Sequence, residues 1–355
     1  MDNGTFADVR IDHIEFAVAD VEAAVEPFTE GYGFSVYAVA GDSRSPVRTV
    51  ALGRDEIRLV FTSAPAGGHP AAAYVEQHGD GVSVIALSTR EAGAAFAHAV
   101  RRGAVAVAAP TTQDGVTTAT IRGFGDVMHT FVQRAPGADP RALPGLVPQR
   151  PEPARFDSRL HAIDHLAVCL DPGTLEPTVE FYREVLGFEM TFEERIVVGR
   201  QAMNSKVVRS RSGDVTLTLI EPDTSREQGQ IDSFLKNNGG PGVQHLAFAT
   251  DDVINAVRRM AEHGVEFLDT PDAYYGKLPA RIPHAGHPIP DLRQLNVLVD
   301  QDHDGQLFQI FTRSVHPRGT IFMEVIERMG ARSFGSGNIT ALYEAVALDL
   351  SRHGA

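Results

Sequence analysis

The 355-residue sequence predicts an α+β protein made of two tandem copies of one domain, and three observations carry that prediction. The first is length, since at roughly 150 residues per domain the chain has room for two. The second is an internal repeat: IDHIEFAV returns as IDHLAVCL, and GDGVSVIAL returns as GPGVQHLAF. His13 aligns with His165 at an offset of 152, and Gly33 with Gly187 at 154. A repeat of that length signals duplication. The third is a stretch from Arg134 to Ser158 with prolines at 136, 140, 144, 148, 151 and 153 and no apolar period. Such composition suits an extended linker. The expected division is a first domain over 1–133, a linker over 134–158 and a second domain over 159–355.

Each copy reads as strand, helix, then several strands. In the opening strand of the second copy, alternation places Ile163, His165, Ala167 and Cys169 on one face. Helical spacing follows in EAAVEPFTE, ended by GYGF, and in PTVEFYREV, ended by LGF. The next apolar runs, GDGVSVIAL and GPGVQHLAF, each lead into a helix. For the helix Val253–His263, Asp251 and Asp252 are suitable N-caps and Gly264 a suitable C′ residue. The chain closes on a further helix that Asn338 can cap, with an apolar stripe of Ile339, Leu342, Tyr343, Val346 and Leu350.

Composition narrows the function classes. Hydrophobic residues make up 43% and charged residues 22%, as expected of a globular chain. The net charge of −14 repels phosphate backbones and argues against nucleic acid as a partner. No apolar run approaches the ~20 residues of a membrane span, and the first residues lack the basic and apolar parts of a signal peptide. The single Cys169 excludes an intrachain disulfide and a zinc site of several thiolates, and reads as a small buried apolar residue. The expected location is the cytoplasm.

Three residues of the second copy carry the chemistry: His165 in IDHLAV, His245 in GVQHLAF and Glu324 in IFMEVIE. All sit among apolar strand neighbours, where an ionisable group is costly unless paired or metal-bound. Two imidazoles and a carboxylate are the facial donor set of non-heme Fe(II) oxygenases, with adjacent positions left open. The competing reading is that each histidine is a hydrogen-bonded core residue. The repeat bears on this choice. The first copy keeps His13 but has Val84 in the place of His245, so it reads as a domain without a metal site and His13 as structural. His129, His161, His263, His303 and His316 are expected at the surface. SFGSGN, from Ser333 to Asn338, is glycine-rich and reads as a hinge or lid rather than a phosphate cradle, because no strand-GxGxxG-helix unit surrounds it.

The segments IDHLAV, AMNSKVV, GVQHLAF, FLDTPDAYY, LFQIFT, HPRGTIFMEVIER and SFGSGNITALYEA together resemble the vicinal oxygen chelate superfamily. Within it, they resemble the family of 4-hydroxyphenylpyruvate dioxygenase and its sister activity, 4-hydroxymandelate synthase. The resemblance spans nearly the whole chain. It implies two tandem domains of paired βαβββ modules, the second an open barrel around the metal closed by the C-terminal helix. It implies Fe(II) held by His165, His245 and Glu324, and the partners 4-hydroxyphenylpyruvate and O₂. It places a substrate pocket at Ser205, Thr218, Ile220, Gln230, Gln244, Gln309, Phe311, Phe322, Phe334, Asn338 and Ile339. It also suggests a homodimer and a place in antibiotic biosynthesis.

The dioxygenases of this family usually read F-P-I-N-E-P where this chain has Leu217 to Pro222, with Thr218 for proline and Ile220 for asparagine. Their tail usually ends G-N-F, whereas here Asn338 is followed by Ile339. Loss of an amide anchor and of a phenyl ring favours presentation of the benzylic carbon. The expected product is therefore (S)-4-hydroxymandelate, with homogentisate as the alternative. An extradiol catechol dioxygenase and a metal-free ligand-sequestering protein are the remaining readings.

Overall fold

The computed structural model describes residues 4–42, 45–150, 153–335 and 337–340. The first half runs β1 (Arg10–Ala17), α1 (Val21–Gly31), β2 (Ser35–Ala40), β3 (Arg48–Arg54), β4 (Ile57–Ser63), α2 (Pro70–His78), β5 (Gly81–Ser88), α3 (Ala92–Arg101), β6 (Ala106–Gln113), β7 (Val116–Arg122) and β8 (Met128–Arg134). The short β9 (Val147–Pro148) follows. The second half runs β10 (Leu160–Cys169), α4 (Leu175–Leu186), β11 (Glu189–Val198), β12 (Gln201–Arg209), β13 (Thr216–Pro222), α5 (Gln230–Asn238), β14 (Gly242–Thr250) and α6 (Val253–Glu262). It continues with α7 (Asp272–Arg281), α8 (Ile289–Gln294), β15 (Leu298–Gln301), β16 (Gln306–Phe311) and β17 (Phe322–Met329).

The duplication is visible in the strand order. The first sheet runs β6-β7-β8-β5-β1-β4-β3-β2-β9 and the second β15-β16-β17-β14-β10-β13-β12-β11. Setting β1 against β10 matches the two orders strand for strand, apart from β9. Each half is thus two βαβββ units joined at a central antiparallel pair, β1 with β5 and β10 with β14. The two ends of the second sheet do not pair with each other, so it stays open. The additions peculiar to the second half are α7 and α8, inserted before β15.

Helix ends follow the local chemistry. The Asp252 side chain accepts from the Asn255 N–H at the start of α6, and Gly187 ends α4 in the left-handed conformation. Residues 337–340 are helical; the stripe from Leu342 to Leu350 lies outside the described residues. The proline-rich stretch, expected as an extended linker, instead turns repeatedly, at Ala135–Ala138, Asp139–Ala142 and Leu143–Leu146, and docks on the first half: Arg134 ends β8, β9 pairs with the edge strand β2, and Leu143 packs beside Tyr37. Proline suits such an edge because it donates no ladder bond.

One hydrophobic cluster spans both halves, and Phe34 meets Phe248 across the seam at 5.9 Å between ring centroids. His129, expected at the surface, is buried here: its Nε2 lies 2.8 Å from the Tyr182 hydroxyl of the other half. Burial pulls its pKa down to about 4, so it serves the seam as a neutral ring. Among the described residues no helix is long and apolar enough to cross a membrane.

Candidate metal centre

The register of the second sheet brings the three expected ligands together. His165 on β10 pairs with Ala247 on β14, and Ala247 pairs with Glu324 on β17. Residues in register share a face, so His165 and Glu324 flank the small Ala247 methyl. His245 lies two residues before Ala247 and therefore on the same face. Its own row runs Phe322, His245, Ala167, Thr218. Alanine at 167 and 247 keeps open the space into which the larger side chains reach.

The Nε2 atoms of His165 and His245 lie 3.4 and 3.2 Å from the same Glu324 oxygen. One ligand atom from each residue falls within 4.8 Å of the others. The edge of an octahedron with bonds of about 2.1 Å is roughly 3 Å, so the donor set fits a small divalent cation. All three side chains are buried. Burial works against charge on each. On His165 the nearby Glu324 and Asp164 outweigh it and lift the pKa to about 9. On Glu324 the two histidines outweigh it and hold the pKa near about 2. On His245 burial prevails over Glu324 and the pKa falls. The cluster therefore favours a positive charge between its donors, which a bound cation supplies.

Two residues that the sequence reading missed orient this centre. Asp164 Oδ1 lies 2.7 Å from His165 Nδ1, so the ring donates there, and in the neutral form that a metal ligand takes its Nε2 lone pair turns inward. Arg328 donates to both oxygens of Asp164. It also reaches the carbonyls of Ala331 and Ser333 and lies over the Phe334 ring. The available signal was the dipeptide Asp-His, repeated in both halves.

Two bulges explain why alternation misplaces neighbours. The register steps from Ile163↔Phe248 to His165↔Ala247, which leaves Asp164 as the extra residue and turns Ile163 onto the face opposite His165. This corrects the expectation that Ile163 shares the histidine face. It likewise steps from Ala167↔His245 to Val168↔Val243, leaving Gln244 extra. A bulge re-aims its residue, so Gln244 is not confined to the face opposite His245.

The other expected pocket residues fall as follows. Phe322 stacks on His245 at 5.0 Å, and Phe311 meets it edge-on at 5.8 Å. Phe334 meets His165 edge-on at 5.2 Å. Ser205 is buried and in register with Ile220, and Ile339 packs on the cluster that contains Ile220, Ala167 and Cys169. Thr218, Gln309 and Asn338 are buried, and Thr218 Oγ1, Gln309 Oε1 and Asn338 Nδ2 have no hydrogen-bond partner among the described residues. Leaving such atoms unpaired is costly; Thr218 Oγ1 and Asn338 Nδ2 can donate to a ligand, and Gln309 Oε1 can accept from one. Gly335 lies so close over Gln309 that a Cβ there would come within 2.4 Å of Oε1, and its φ of +74° also favours glycine. Gln230 stands apart from this group: it is exposed at the first turn of α5.

Residues 5–141 match the family model described as hydroxyphenylpyruvate dioxygenase, N-terminal. Residues 162–310 match that of the glyoxalase/bleomycin resistance protein/dioxygenase superfamily. The chain is 32% identical to a 4-hydroxyphenylpyruvate dioxygenase of Caenorhabditis briggsae, over 98% of this chain and 93% of that one. It is 29% identical to that of Yarrowia lipolytica, over 97% and 92%. Among solved structures, a triple mutant of 4-hydroxymandelate synthase from Streptomyces coelicolor superposes with a TM-score of 0.83. That structure is 42% identical and covers 97% of this chain and 99% of its own.

Proposed function

The chain belongs to the 4-hydroxyphenylpyruvate dioxygenase family, and from that premise we propose that it is a 4-hydroxymandelate synthase. In this reading it converts 4-hydroxyphenylpyruvate and O₂ to 4-hydroxymandelate and CO₂. The observation that carries the choice is the apolar patch formed by Ile220 and Ile339, where the dioxygenase pattern has asparagine and phenylalanine. The 42% identity to a synthase, against about 30% to the dioxygenases, supports it.

His165, His245 and Glu324 would hold Fe(II), whose chemistry is to bind the keto acid and activate O₂. The protein's own residues do the rest. Asp164 keeps the His165 proton on Nδ1. Phe311 and Phe322 wall off His245 with apolar surface, which keeps water from the reacting carbon. Thr218 offers its hydroxyl to a substrate oxygen, and Gln309 Oε1 can accept from the substrate's phenol hydroxyl. Ile220 and Ile339 would offer the ring only dispersion contact, so at these positions no amide would anchor it and the CH₂ group would be the carbon presented for oxidation. Moving rate from one carbon to another needs only about 1.4 kcal/mol per factor of ten, within reach of one or two such contacts.

The second reading is ring hydroxylation to homogentisate, favoured by the names of the sequence relatives. One experiment separates the two. Protein loaded anaerobically with Fe(II) receives 4-hydroxyphenylpyruvate and then O₂, and the product is identified by mass spectrometry and NMR. Hydroxymandelate is expected; homogentisate as the main product would refute the synthase assignment.

A further inference from the structure

The segment from Arg332 to Ile339 brings Phe334 against His165 and Ile339 onto the Ile220 cluster, and it is held there by side chains from two other elements. The Asp302 carboxylate accepts from the backbone N–H groups of Arg332 at 2.6 Å and Ser333 at 2.7 Å. Asp300, on β15, accepts from Gly337 at 2.9 Å. Arg281, the last residue of α7, reaches the same segment. Its amino nitrogen lies 3.0 Å from Asn338 Oδ1 and 2.8 Å from the Tyr274 hydroxyl, and it also bonds the Val299 carbonyl. The buried Tyr274 hydroxyl is itself 2.7 Å from the same Asn338 oxygen.

These contacts settle which way the Asn338 amide faces. Arginine can only donate, so the atom it meets must be the carbonyl oxygen. The amide nitrogen is then left inside the protein with no partner among the described residues, although Asn338 has no exposed surface. A fully buried donor held in one orientation calls for a partner that the described residues do not supply.

We propose that Arg281 and Tyr274 are positioning residues. With Asp300 they latch the tail over the metal pocket and lock Asn338 so that its N–H₂ group is offered to an oxygen of the bound ligand. Neither residue touches the metal ligands or belongs to the expected pocket set. Both come from the α7 insertion that the first half lacks, as befits a device needed only where there is a site to close. That the ligand is the keto acid rests on the function proposed above; the latch itself rests only on the contacts.

The test uses the Fe(II)-loaded full chain and the variants Arg281→Met, Arg281→Lys and Tyr274→Phe. Hydrogen exchange is followed in the peptide covering residues 332–339, alongside Fe(II) affinity and steady-state kinetics. Arg281→Met is expected to speed exchange in that peptide at least ten-fold. It should also raise the KM for 4-hydroxyphenylpyruvate about ten-fold, with Fe(II) affinity unchanged. Arg281→Lys should recover part of both effects, and Tyr274→Phe should show a smaller change of the same kind. Unchanged exchange in Arg281→Met, or a parallel loss of Fe(II) affinity that marks general damage, would overturn the latch. If the wild-type protein does not turn over the keto acid, the proposed function fails, while the exchange result still decides the latch.

Discussion

Arg328 holds both carboxylate oxygens of Asp164, its Nε 2.7 Å from Oδ2 and a terminal nitrogen 2.8 Å from Oδ1. The other half repeats the arrangement with Arg134 on Asp12, and each aspartate lies 2.7 Å from Nδ1 of the histidine that follows it. Both aspartates are the extra residues of equivalent bulges and line one cleft at the seam. Duplication has thus kept the brace in both copies. By register, Val84 and Thr130 stand where the second half has His245 and Glu324. In the first half Glu15 lies 3.1 Å from His13 Nε2, so a proton serves where the second half offers a cation site.

The brace predicts an effect on metal affinity. Asp164→Asn removes the charge that orients His165 and should weaken Fe(II) binding roughly 10- to 100-fold. Competition with a chelator under anaerobic conditions measures it. Affinity equal to wild type would show that Asp164 does not tune the centre.

Glu324→Ala should abolish Fe(II) retention and decarboxylation of the keto acid, since it removes one of three donors and the only carboxylate among them. Ala247→Leu should have a similar effect by another route. Its side chain would stand between His165 and Glu324, in register with both. Metal content and O₂ uptake report both variants. O₂ uptake coupled to CO₂ release in Glu324→Ala would contradict its role as a ligand.

Product choice is predicted to follow the apolar patch. Ile339→Phe, alone or with Ile220→Asn, should divert part of the product toward ring hydroxylation, with a shift of several-fold in the ratio. Chromatography of the products gives the answer. An unchanged ratio in the double variant would mean that these two positions do not set the outcome.

His13 gives a pH prediction free of the metal. Burial lowers its pKa, but Asp12 and Glu15 outweigh burial and lift it to about 9 in the folded protein, against 6.5 for the free side chain. A raised folded pKa stabilises below the unfolded value and stops doing so as pH climbs past the folded one. The melting-temperature gap between wild type and His13→Gln should therefore be widest near pH 6 and close by about pH 10. A gap that stays constant would refute this, and Fe(II) stoichiometry should be the same in both proteins.

How much was legible varied by residue. His165, His245 and Glu324 stood out because each interrupts an apolar strand and because the repeat supplied a copy in which His245 was replaced. Ile220 and Ile339 stood out against the pattern usual in the dioxygenases, although about 120 residues separate them. Asp164 and Arg328 did not, because an aspartate beside a histidine looks like any polar strand end until its partner arrives from 164 residues away. Gln230 was expected in the pocket and is exposed, and His129 was expected outside and is buried. Linear spacing does not say which strand covers a given face.

By itself, then, the sequence determined the duplicated α+β architecture, because apolar periodicity and a 152-residue repeat are local properties of the chain. It also determined which three residues could share a cation, because their side-chain chemistry is written in their identity. Only the tertiary structure decided the register that sets His165 and Glu324 on either side of Ala247. Only it placed the bulges that re-aim Asp164 and Gln244, and the grip of Arg281 on the Asn338 amide. Those depend on hydrogen bonds between segments far apart in the chain, and no local preference encodes an ångström-scale meeting of distant strands.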